Sequence, residues 1–193
     1  DNIVSYWNAA GVRTDYDASG TVPNNYDYTQ LGEAWSTPVI LKLYINGYDH
    51  WVAALGGGFN NALNPNYGGL LYILDLQDGG KVLQEITVSD GSATNGIVNS
   101  VPPRITTITA DSTTLFTDKG ALVYFSDLEG KLWKVNLTDQ GVLYETTQMF
   151  DAEATFDNDR MVYHETTATL TDDNTLIQYF GTADMQRVGR ISG

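Results

Sequence analysis

The feature that most constrains this chain is an internal repeat. Leu71 to Leu83, LYILDLQDGGKVL, aligns without a gap onto Leu132 to Tyr144, LWKVNLTDQGVLY. Tyr72 falls on Trp133, Leu74 on Val135, Asp75 on Asn136, Leu76 on Leu137, Asp78 on Asp139 and Gly80 on Gly141. From Leu132 to Leu137 the pattern alternates, so that Trp133, Val135 and Leu137 share one face, and in each copy a Gly-containing turn leads from the strand into a second apolar run. The parts before this block also correspond. Trp51 to Leu55 resembles Ala121 to Phe125, and Ser36-Thr37-Pro38 resembles Ser100-Val101-Pro102. A third partial copy, Leu176 to Gly181, lies near the end of the chain.

A hairpin with one apolar face is marginally stable in water, so such a module must stack on copies of itself. Repeats of roughly 40 to 60 residues, each supplying four short strands, are the pattern of propeller blades. The expectation is an all-β chain, a β-propeller segment of about three four-stranded blades that does not complete a ring. Residues 1–30 read as a polar and aromatic lead-in loop. Blade one spans about 34–89, blade two about 97–147, and a partial blade three about 160–193. The first blade should use strands near Ser36–Ile45, Trp51–Gly56, Leu70–Leu76 and Lys81–Val88. Nineteen glycines and twelve tyrosines support this over a helical chain. Trp35, Trp51 and Trp133 recur at blade positions and are expected to pack between blades, the alternative being an exposed aromatic that stacks on a sugar.

Charge narrows the partners. With 24 acidic against 10 basic residues the net charge is −14, which repels nucleic-acid phosphates and favours cations or basic surfaces. No apolar run reaches the length of a membrane helix, and the first residues lack a signal-peptide layout. With no cysteine there is neither a disulfide nor thiolate chemistry.

Candidate chemistry is sparse. Asp151, Glu153, Asp157 and Asp159 alternate oxygen ligands at spacings that a loop can fold around Ca²⁺; the competing reading is a solvated acidic loop. Asp15 to Gly20 matches an EF-hand loop at only some positions, and Asp111 and Asp118 are too few for a cage. Asp127 and Glu129 would suit a hydrolase if held about 5 to 9 Å apart across a substrate, but Asp127 with Gly130 reads better as turn chemistry. His50 and His164 lack the neighbours of a triad or zinc site. Asn136-Leu137-Thr138 fits a glycosylation sequon inside an expected strand. Gly56-Gly57-Gly58 allows positive φ or close backbone approach, as a functional loop or, better, a tight blade corner.

Several ordered segments carry a family resemblance. Leu31 to Pro38, Trp51 to Asn60, Leu71 to Leu76, Ser100-Val101-Pro102, Tyr124 to Val135 with its Asp127-Leu-Glu-Gly130-Lys-Leu-Trp133 core, and Phe180 to Asp184 follow one another in this chain. Together they resemble the C-terminal β-propeller of the PilC/PilY type IV pilus proteins over about residues 28–185. The resemblance implies a non-enzymatic binding module of a pilus-associated protein, extracellular or at the cell surface, with pilin or minor pilin subunits, or other chains of the same assembly, as partners. It departs from the family at Thr109 to Ala121, where Asp111 and Asp118 do not have the spacing of the family's calcium loop. Two alternatives stay open at this point: a structural subunit completed by strand pairing between chains, and a fragment of a quinoprotein-like or glycosidase propeller enzyme.

Overall fold

The computed structural model describes residues 26–59, 67–91, 99–109, 120–155, 158, 160–173 and 175–182. Its elements are all strands: β1 (Val39–Ile45), β2 (Tyr48–Gly56), β3 (Leu70–Asp75), β4 (Lys81–Thr87), β5 (Thr106–Thr109), β6 (Ala121–Ser126), β7 (Lys131–Leu137), β8 (Thr146–Asp151), β9 (Thr167–Leu170) and β10 (Leu176–Tyr179). β1 to β4 form one antiparallel meander, β5 to β8 a second, and β9 pairs with β10 in a two-stranded sheet. This is an all-β, incomplete propeller: two four-stranded blades and the start of a third among the described residues. Among the described residues no helix is long and apolar enough to cross a membrane.

Local chemistry sets each hairpin. Asn46 and Gly47, both with positive φ (53° and 87°), link β1 to β2. Positive φ at both central residues is the type I′ pattern, whose twist matches that of the flanking strands. β2 therefore starts at Tyr48, three residues before the apolar run that marks it in the sequence. β3 is buried along its whole length because it is central in its sheet and covered on both faces. Such a strand reads as a continuous apolar run rather than an alternating one.

The repeat is visible in the register. Leu55 lies opposite Tyr72 and Ala53 opposite Leu74 in blade one; Phe125 lies opposite Trp133 and Val123 opposite Val135 in blade two. The two sequence correspondences, made separately for the second and third strands, are thus mutually in register. Tyr72 and Trp133 also occupy equivalent seats. Tyr72 and Leu74 turn away from blade two toward Tyr28 and Leu31, while Trp133, Val135 and Leu137 turn toward blade one. Each looks at the element that precedes its own blade.

The turns repeat as well. The Asp75 side chain accepts from the Gln77 and Asp78 N–H groups (2.9 and 3.3 Å), and the Asn136 side chain accepts from the Thr138 N–H (3.1 Å). Gly80 and Gly141 have φ of 86° and 88°. Both outer strand pairs carry a β-bulge, between Ile73 and Leu74 and between Leu132 and Trp133.

The main core lies between the blades. Leu41, Leu43, Val52, Ala54, Leu71 and Ile73 of blade one meet Val123, Phe125, Val135 and Leu137 of blade two, with Val101 and Ile105 from the connector. Burying each Val, Leu, Ile or Phe among them contributes about 1.5–3 kcal/mol.

Four expectations need correction. Residues 26–31 are not simply a polar lead-in. Tyr26 is buried, Tyr28 stacks on Tyr72 at 5.4 Å, and the Tyr28 hydroxyl donates to the Gly80 carbonyl, because the far face of blade one needs a cover. Ser100 and Ser36 are not equivalent by register. Opposite Ala53 and Val123 stand Ile40 and Thr107, so the connector into blade two carries three extra residues. β8 continues to Asp151, past 147, since Lys131 and Leu132 still pair with it. Trp35 is 53% exposed rather than packed between blades, because it lies on the connector before β1.

Candidate functional site

The second and third strands of each blade end at a corner, and both corners are fastened to the connector that joins the blades. The Gly58 N–H donates to the Val101 carbonyl (3.0 Å), and the Leu128 N–H donates to the Ser100 carbonyl (2.9 Å). Two adjacent connector carbonyls therefore serve the two blades.

In blade two the corner is built on Asp127. Its backbone N–H donates to the Lys131 carbonyl (3.1 Å) and its carbonyl accepts from Gly130 (3.1 Å), closing the turn that Gly130, at φ 76°, permits. Its side chain is fully buried and accepts from the Asn99 amide (2.9 Å) and the Trp133 indole N–H (2.8 Å) on Oδ2, and from the Lys131 backbone N–H (3.0 Å) on Oδ1. Burial pushes the carboxyl up to about 6, although the Trp133, Asn99 and Lys131 donors pull the other way. Lost hydration outweighs three hydrogen bonds here. Every donor around this carboxylate comes from the protein framework, so it acts as a clamp between connector, turn and β7. Glu129 points elsewhere: its Oε2 accepts from the Lys131 ammonium at 2.6 Å while the buried Oε1 has no hydrogen-bond partner. The pair does not flank an open cleft.

In blade one the same corner is the glycine run. The Gly57 N–H donates to the Leu70 carbonyl (2.6 Å), the counterpart of the Asp127 to Lys131 bond. The corner is then zipped onto the connector before β1: Gly32 N–H to the Gly57 carbonyl (2.7 Å), Glu33 N–H to the Phe59 carbonyl (2.7 Å), and Phe59 N–H to the Glu33 carbonyl (2.8 Å). A Cβ on Gly32 would run into the Phe59 carbonyl and one on Gly58, at φ 93°, into the Glu33 carbonyl. Glycine is required because two backbones approach to hydrogen-bonding distance.

The zip presents an aromatic ledge. The Trp35 and Phe59 rings stack at 4.5 Å and 10°. Phe59 rests on a small cluster of Leu128, Ala154 and Met161, which Tyr163 also touches. The ledge thus spans the corners of both blades. Sequence reasoning missed it by assigning Trp35 to the core; the signal was its place on a connector, two residues after Glu33.

The acidic loop follows β8. Asp151 and Glu153 are exposed, and Asp151 Oδ1 accepts from the Glu153 N–H (2.7 Å). Asp157 and Asp159 lie outside the described residues, as do Asp15 to Gly20, Asp111 and Asp118. Among the described residues no three His, Asp or Glu side chains are grouped as a metal site would need. His50 Nδ1 lies 3.1 Å from Asp75 Oδ2, on the carboxylate that caps its own β-turn, and His164 is exposed. Asn136 is buried and its amide donates to the Gln140 and Val142 carbonyls (2.9 and 3.0 Å), so the sequon is a turn device here.

No protein-family model and no curated protein matches the chain. Among solved structures it is similar to the C-terminal domain of PilY1 from Pseudomonas aeruginosa, with 15% sequence identity and a TM-score of 0.38. The match covers 93% of this chain and 52% of that one, so the chain spans about half the length of the PilY1 domain.

Proposed function

We infer that this chain is a non-enzymatic binding module of a type IV pilus-associated protein, working outside the cell on pilin or minor pilin subunits. The observation that carries the reading is the order of the motifs that resemble the PilC/PilY propeller. Ser36-Thr37-Pro38, the Trp51 to Phe59 run, Ser100-Val101-Pro102 and Asp127 to Trp133 fall on successive connectors, strands and corners of consecutive blades. The Asp127–Trp133 clamp supports binding over catalysis, because a carboxylate fully buried and engaged by three framework donors is closed off from a substrate. The acidic surface fits basic patches on partner proteins.

The test is co-sedimentation of the purified chain with sheared type IV pili and with isolated minor pilins. Saturable co-sedimentation in 150 mM salt is expected. A chain that stays in the supernatant with both, while folded by near-ultraviolet circular dichroism, overturns the reading.

A further inference from the structure

We propose that the Trp35–Phe59 ledge is a seat for the arginine and lysine side chains of a basic protein segment, an inference that rests on the binding-module reading and names the chemistry of its partner. Trp35 leaves more than half of its surface in solvent, and Phe59 backs it nearly face on. The ledge is preorganised. Two backbone hydrogen bonds join Glu33 to Phe59, a third runs from the Trp35 N–H to the Glu33 carbonyl (2.9 Å), and Phe59 is wedged against Leu128, Ala154 and Met161. A rigid aromatic costs little entropy on binding, which is the condition for an anchor contact.

Charge selects the occupant. The net charge of −14 attracts cations and repels phosphate, sulfate and carboxylate ligands. Nearer by, exposed Glu33 hydrogen-bonds Phe59 through its backbone, and exposed Glu153 sits beside Ala154 of the supporting cluster. Among the described residues the Lys131 ammonium is paired with Glu129, and the Arg160 guanidinium turns back onto the Ala152 carbonyl (3.2 Å). Indole is the best ring for holding a guanidinium or ammonium group over its face. A neutral pyranose would also stack on Trp35 but would gain nothing from this field.

The experiment titrates the full chain with an acetylated hexa-arginine peptide and with methyl β-glucopyranoside, read by calorimetry and by the indole N–H resonances. The Trp35 resonance is assigned by its loss in Trp35→Ala. Because Trp35→Ala leaves the net charge unchanged, it separates the ring from general attraction. Expected is peptide binding that weakens roughly 2- to 30-fold in Trp35→Ala and little in Trp35→Tyr. Equal peptide affinity in wild type and Trp35→Ala, or tighter binding of the glucoside than of the peptide, overturns the proposal. The co-sedimentation assay distinguishes the two levels. Pili that still bind a chain indifferent to hexa-arginine sink this inference alone, whereas loss of pilus binding sinks the reading beneath it.

Discussion

The two blade corners hold the same place in the repeat and are fastened by opposite means. Gly57 and Asp127 each donate a backbone N–H across the neck of the corner, and the next residue, Gly58 or Leu128, donates to the shared connector. Blade one then closes by bringing backbone onto backbone, which demands glycine at 32 and 58. Blade two closes by burying a carboxylate, which demands donors at Asn99, Lys131 and Trp133. The first fastening tolerates no added atoms; the second tolerates no lost ones. That contrast makes the corners separately breakable.

The largest effect is expected at the glycine corner. Gly58→Val places a β-branched side chain at φ 93° and drives its Cβ into the Glu33 carbonyl. Left-handed strain of about 1–3 kcal/mol adds to overpacking of similar size. Chemical denaturation should show a loss of about 3 kcal/mol or more, and the Trp35 ledge should loosen because Phe59 is displaced. A variant as stable as wild type would mean that the zip does not hold the corner.

Next in size is the carboxylate corner. Asp127→Ala strands the Asn99, Lys131 and Trp133 donors in a buried site, and a loss of about 2–4 kcal/mol at pH 7 follows. The same residue has a pH signature. Its folded value of about 6 lies above the ordinary 3.8, so the folded state binds the proton more tightly than the unfolded chain. The stability this group contributes is full below the unfolded value and falls as pH rises through about 6, by about 3 kcal/mol for the shift of some two units. Subtracting the Asp127→Ala stability profile from that of wild type between pH 4 and 7 should isolate that decline. A flat difference would show that Asp127 does not titrate in this window.

How much of this was legible in the sequence differs between the corners. The repeat placed Tyr72 and Trp133 in equivalent seats because the strand, the Asp or Asn that caps its turn and the Gly that closes it recur at one offset along the chain. Asp127 could be read as a turn residue, yet its burial and its bond to Trp133 could not. Both depend on the hairpin register that brings Ser126 opposite Leu132, and on a connector arriving from outside the blade. The Gly56 to Gly58 run was legible as a corner, but not the backbone it closes on, since residues 32–33 carry no pattern that announces pairing. The recurrence of tryptophan at blade positions misled at Trp35, because an aromatic on a connector obeys neither strand alternation nor core burial. Asn46-Gly47, by contrast, was plain turn chemistry, and weighing it would have moved the start of β2 back to Tyr48.

The smallest effect tests the repeat at its finest grain, in the caps of the two outer turns. Asp75 and Asn136 both accept turn N–H groups, but their second side-chain atoms do different work. Asp75 Oδ2 faces His50, whereas the Asn136 amide donates to two carbonyls. Asp75→Asn keeps an acceptor for Gln77, and its new amide can donate to His50 Nδ1 in the tautomer that leaves that nitrogen unprotonated. Asn136→Asp instead turns two donors into a charge facing the Gln140 and Val142 carbonyls. Asp75→Asn should therefore change stability by less than about 0.5 kcal/mol and Asn136→Asp lower it by about 1–2 kcal/mol. Equal losses in the two variants would mean that the caps act only through the shared turn bond, and that the blades are alike where their side chains indicate they have diverged.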